Sequence, residues 1–169
     1  MGTATHTKRR IPSAGAWLAV VLACGLAFGT ATAAQASERI RCEVLTIEAS
    51  RSGQGLDPAL ALYGPVFKAA PFAEFDTFKL VSRKSYELTL GSESQLTIPS
   101  PYAGALKFDR ESAGRFELTL SLTRPAGPPI LVQGKATPGT PFFAAGLKSA
   151  LGRWVFGVAC DRANGVVHY

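Results

Sequence analysis

The chain has 169 residues, with 18 Lys+Arg against 12 Asp+Glu and a formal net charge of +6, a length sufficient for one domain with its own core. Lys8, Arg9 and Arg10 lie in a leader at residues 1–36, so the remainder, residues 37–169, has 15 Lys+Arg against 12 Asp+Glu and a net charge of +3. That balance excludes a strongly basic nucleic-acid binder, and with His168 the only imidazole beyond the leader, schemes needing two catalytic histidines are excluded as well.

The leader has the order of a secretory signal. Three cations precede an apolar run over residues 14–28, and Ala31-Thr32-Ala33 and Ala34-Gln35-Ala36 are both Ala-x-Ala cleavage patterns; the expectation is export with cleavage after Ala36, Ala33 being the second choice. The run is about 15 residues, short of the roughly 20 needed to span a bilayer, so no transmembrane anchor is expected in the mature protein. Val21-Leu22-Ala23-Cys24 has the outline of a lipoprotein box, but residues 25–28 stay apolar where lipoproteins turn polar. Arg9-Arg10 also permits twin-arginine export, although adjacent arginines are common in ordinary signals.

From Glu38 onward the pattern is alternation, which means strands. Ile40, Cys42 and Val44 alternate with Arg41 and Glu43 before Leu45 and Ile47 shift phase, as a bulge or burial on both faces would produce. Residues 51–55 read as a mobile loop. Asp57 as N-cap and Pro58 at the first helical position predict a short helix with Leu56, Leu60, Tyr63 and Phe67 on one face, ending near Tyr63 or kinking at Gly64-Pro65. Further strands are predicted over residues 77–82, 85–90, 95–98, 105–109, 129–136 and 141–145, with Ser82-Arg83-Lys84-Ser85 as the corner between the first two. Phe116, Leu118, Leu120 and Leu122 alternate with Glu117, Thr119, Ser121 and Thr123 as the clearest half-buried strand. Trp154, Phe156, Val158 and Cys160 repeat the device, and apolar Val155, Gly157 and Ala159 between them predict a central strand covered on both sides. Turn residues at roughly ten-residue spacing favour antiparallel neighbours. The fold predicted is all-β: one antiparallel sandwich or partly closed barrel of eight or nine strands, with one short helix after the first.

Signals for chemistry are sparse. Asp109, Glu111 and Glu117 are the carboxylates a small exported hydrolase would use, but a charged turn beside alternating strands normally faces water. Ser82 and Ser85 beside Lys84 do not have serine-lysine spacing. No compact Cys/His cluster exists, so neither a metal nor a cofactor is expected. Phe72, Phe75 and Phe78 stand three apart and form either a binding surface for a sugar or peptide or a plug at one end of the sandwich; large apolar side chains favour the plug. Cys42 and Cys160 are the cysteines left once the leader and its Cys24 are removed, and an even count in an oxidising compartment predicts their pairing and adjacent first and last strands.

Pro71-Phe72-Ala73-Glu74-Phe75-Asp76-Thr77-Phe78-Lys79-Leu80 and the later Pro138-Gly139-Thr140-Pro141-Phe142-Phe143-Ala144-Ala145-Gly146 resemble the corresponding stretches of an uncharacterised family of small exported bacterial proteins of myxobacterial type. The resemblance implies a secreted all-β domain and no catalytic residue. The expected role is a secreted or periplasmic noncatalytic binding or assembly module that contacts a protein or an envelope polymer through a sheet edge or loop end. The alternatives are the hydrolase and an inhibitor of secreted enzymes that inserts the proline-bounded loop 125–129.

Overall fold

A computed structural model describes residues 39–163. The leader, with its cleavage sites and Cys24, and His168 near the C-terminus lie outside the described residues. Nine strands form two sheets that do not close into a barrel: β1 (Arg39–Ser50), β2 (Gly55–Leu56), β3 (Thr77–Thr89), β4 (Glu93–Leu96), β5 (Ala103–Ser112), β6 (Arg115–Thr123), β7 (Ile130–Ala136), β8 (Phe142–Lys148) and β9 (Gly152–Arg162). One sheet runs β2-β3-β1-β9-β8 and the other β4-β5-β6-β7. The neighbours are antiparallel except for β2, which pairs in parallel with Thr77 and Phe78. The all-β sandwich is therefore the architecture, and the partly closed barrel is not.

The four-stranded sheet buries one face. Phe116, Leu118, Leu120 and Leu122 of β6 point inward beside Leu106 and Phe108 of β5, and meet Ile40, Cys42, Val44, Phe156, Val158 and Cys160 of the other sheet. The five-stranded sheet is covered on both faces over part of its area. Leu45, Ile47 and Ala49 of β1 and Val155 of β9 face away from the sandwich interior and pack under Leu60, Phe67, Phe72 and Phe78. The phase shift in β1 thus marks the point where its second face becomes buried, while the accompanying bulge belongs to β3: Ser82 pairs with Thr46 and Leu80 with Ile47, leaving Val81 as the extra residue.

The covering layer starts as expected. Asp57 accepts the Ala59 N–H at 2.9 Å and caps a 3-10 segment, Pro58–Tyr63. Pro65 breaks that segment and opens a single α-turn, α1 (Gly64–Phe67). Two readings need correction. Residues 82–85 are not a corner but the middle of the 13-residue β3, polar because the covering layer does not reach that part of the sheet. Residues 51–55 are not a free loop: the N–H of Gly53 donates to Asp76 at 2.9 Å, that of Gln54 to Thr77 at 2.9 Å, and Arg51 pairs with Glu74 at 2.9 Å.

Cys42 and Cys160 are direct cross-strand partners in the β1–β9 ladder and form a disulfide, with Cα atoms 4.0 Å apart. The expected adjacency of these strands holds. The two strands occupy the interior of the five-stranded sheet, not its edges.

Candidate functional site

The three carboxylates do not converge. Glu111 pairs with Phe116 across β5 and β6, on the inward face, and its Oε1 lies 2.5 Å from Arg162 Nη2. Glu117 is the next residue along β6 and therefore sits on the opposite face, where its oxygens meet Arg110 Nε at 2.5 Å and Lys135 Nζ at 3.2 Å. Hydrogen bonds from those two cations hold the Glu117 carboxyl below the usual carboxylate range. Asp109 shares the outer face at the β5 bulge, accepting the Thr119 hydroxyl at 2.6 Å and facing Lys107 at 3.0 Å. Burial pushes its carboxyl up, but the bonds from Thr119 and Lys107 outweigh that and leave it lowered. A glycosidase needs one carboxyl raised enough to donate a proton across a cleft; these two move the other way. What the sheet presents here is an open polar groove with Gln133 and Lys135 along it. Among the described residues, no three His, Cys, Asp or Glu side chains gather where they would hold a metal.

The phenylalanine triplet is not a displayed platform. Phe72 of the covering layer and Phe78 of β3 are both buried; Phe67 stacks on Phe78 with centroids 4.3 Å apart, and Phe143 of β8 meets Phe67 edge-on at 5.2 Å. Phe75 alone is half-exposed. These rings also do not plug an end of the sandwich as expected; they seal the outer face of the five-stranded sheet. Leu45, Ile47 and Val155, apolar on the second face of their strands, required such a cover.

Loop 125–129 is exposed, and the Arg124 guanidinium donates to the Pro128 carbonyl at 3.1 Å across it. It leads into β7, and the four sheet edges differ in a way that composition did not reveal. Beyond Phe78, where the two-residue β2 ends and leaves it outermost, β3 carries Lys79, Arg83 and Lys84 together with the bulge at Val81, and β4 is four residues long. β8 is interrupted at Gly146, where the register shifts between Ala145 and Leu147. Charges, bulges and shortness are the usual devices that discourage another strand from adding to an edge. β7 has no bulge and a single charge. It pairs with β6 without a register shift from Ile130 to Ala136, contains no proline, and among the described residues has β6 as its sole hydrogen-bonded strand neighbour. Its one charge, Lys135, is drawn back to Glu117, and Leu131 is 64% exposed.

In comparisons with family models, curated proteins and solved structures, nothing matches this chain. The functional reading therefore rests on the side chains and edges themselves. Among the described residues no helix is long and apolar enough to cross a membrane.

Proposed function

We propose that the protein is an exported, noncatalytic binding module that captures an extended segment of another protein by adding it as a strand to β7. The observation that carries the reading is the contrast among the edges: three are short, bulged or cationic, and β7 is regular and largely uncharged along seven residues. An edge strand offers a row of backbone donors and acceptors that an incoming strand satisfies, while alternate side chains set specificity. Here Leu131 would supply an apolar contact on the outer face, and Ile130 and Val132 contacts at the margin of the core. Export is supported by the leader and by the Cys42–Cys160 bond, since such bonds persist in oxidising compartments. Membership of the small exported proteins that the Phe72–Leu80 stretch resembles belongs to the same proposal.

The test is site-specific photocrosslinking in the native host. A photoreactive residue at position 131 is expected to trap a discrete partner, and one at position 81 on the protected β3 edge to trap none. Leu131→Lys with Gln133→Lys, which gives β7 the charges its counterparts carry, is expected to weaken capture by at least about tenfold, a loss of about 1.4 kcal/mol. Equal trapping from both edges, or capture indifferent to the two lysines, would refute strand addition at β7.

A further inference from the structure

Away from β7, on the far side of the five-stranded sheet, the covering layer leaves a cavity of about 360 Å³. Its floor is the stacked pair of Phe67 and Phe78, both almost fully buried, and Phe75 stands edge-on to Phe78 at 6.3 Å and 85° as one wall. Leu56 lines it as well, held in place by the short β2 pairing. The space exists because Gly64 and Ala73 contribute almost no side-chain volume to the lining. Walls of this kind strip water from an apolar body and fit hydrocarbon or an aromatic ring.

Two charged residues line the opening, and both are exposed: Lys68 and Asp76. Their situations differ. Asp76 already accepts hydrogen bonds from the Gly53 N–H and the Thr77 hydroxyl, both at 2.9 Å, which fix it to the 51–55 segment. Lys68 makes no ion pair among the described residues. Asp76 keeps its negative charge but already accepts two hydrogen bonds, so the charged group at the mouth with donors to spare for a ligand is Lys68. At about 360 Å³ the cavity is at the low end of the range of small-molecule sites.

We infer that this cavity is a binding site for a single-chain amphiphile of medium length, with its hydrocarbon against Phe75 and Phe78 and an anionic carboxylate on Lys68. The inference does not depend on strand addition at β7, which belongs to the other sheet.

Calorimetric titration of the whole protein with decanoate, decanol and decyltrimethylammonium tests both halves of the inference. Decanoate is expected to bind at least about tenfold more tightly than the other two, an advantage of about 1.4 kcal/mol. Lys68→Glu is expected to abolish that advantage while leaving decanol binding unchanged. Ala73→Trp, which fills the cavity from an exposed position, is expected to eliminate binding of decanoate and decanol alike. Absence of decanoate binding, or binding that survives Ala73→Trp, would overturn the site. Tighter binding of decyltrimethylammonium, or a Lys68→Glu protein that retains the preference for decanoate, would overturn the carboxylate assignment.

Discussion

Asp57 and Asp76 each tie two parts of the covering layer together with one carboxylate. Asp57 receives the N–H of Ala59 at 2.9 Å and that of Leu80 at 3.1 Å, so the side chain that starts the 3-10 segment also fastens it to β3. Asp76 receives the Gly53 N–H first and the Thr77 hydroxyl second, and these bonds hold its carboxyl below the usual carboxylate value. Since the native pKa lies below the unfolded one, Asp76 contributes stability above the ordinary carboxylate pKa of about 3.9, and the contribution disappears as pH falls through the depressed native value. Asp109 and Glu117 are lowered too and act in the same direction. Asp76→Asn is therefore expected to lower the melting temperature at neutral pH and to leave a smaller difference from the unsubstituted protein near pH 3, as thermal denaturation at a series of pH values would reveal. An equal decrement at both pH values would contradict the assignment.

The strands vary in how plainly their sequences declare them. β6 alternates between a buried and a polar face throughout its length, and β9 has apolar residues in both phases because it is covered twice; both are readable from spacing alone. β3 is not, because its polar middle looks like a turn when read locally, and continuity becomes visible only through the ladder to β1. The covering layer lies between these cases. Leu45 and Ile47 signalled a second buried face, but nothing in the spacing of Phe72, Phe75 and Phe78 indicates which face they seal. The β7 edge was hidden for a related reason, since its freedom is a property of its neighbours rather than of its own residues. β9 also depends on a close approach at its first residue, where a Cβ on Gly152 would run into the backbone carbonyl of Ala49. Backbone cannot step aside as a side-chain tip can, so Gly152→Ala is expected to cost at least about 1 to 3 kcal/mol, the range of overpacking, measurable as a lower denaturant midpoint.

At the scale of the molecule, the β1–β9 ladder holds the two sheets and the covering layer around one axis. It pairs eleven positions, from Ile40 with Arg162 to Ser50 with Gly152, and the disulfide spans a sequence separation of 118 residues. On the chain-entropy model a loop of that length stabilises by about 4 to 5 kcal/mol. Cys42→Ala with Cys160→Ala is expected to lower unfolding stability by up to that amount while the hydrogen-bonded ladder persists, as urea denaturation and amide exchange would show; an unchanged midpoint would argue that the bond is energetically idle. The two sheets differ in how local their pairings are. β4 to β7 form a meander of sequence-local pairings, whereas β1 pairs with β9 across almost the whole described chain. Cys160, the partner of Cys42, lies on β9, the last of the strands. The bond is thus a mark of a completed β1–β9 ladder: a chain cut before β9 leaves the Cys42 sulfur without the partner it has here, and in the whole domain both sulfurs are buried.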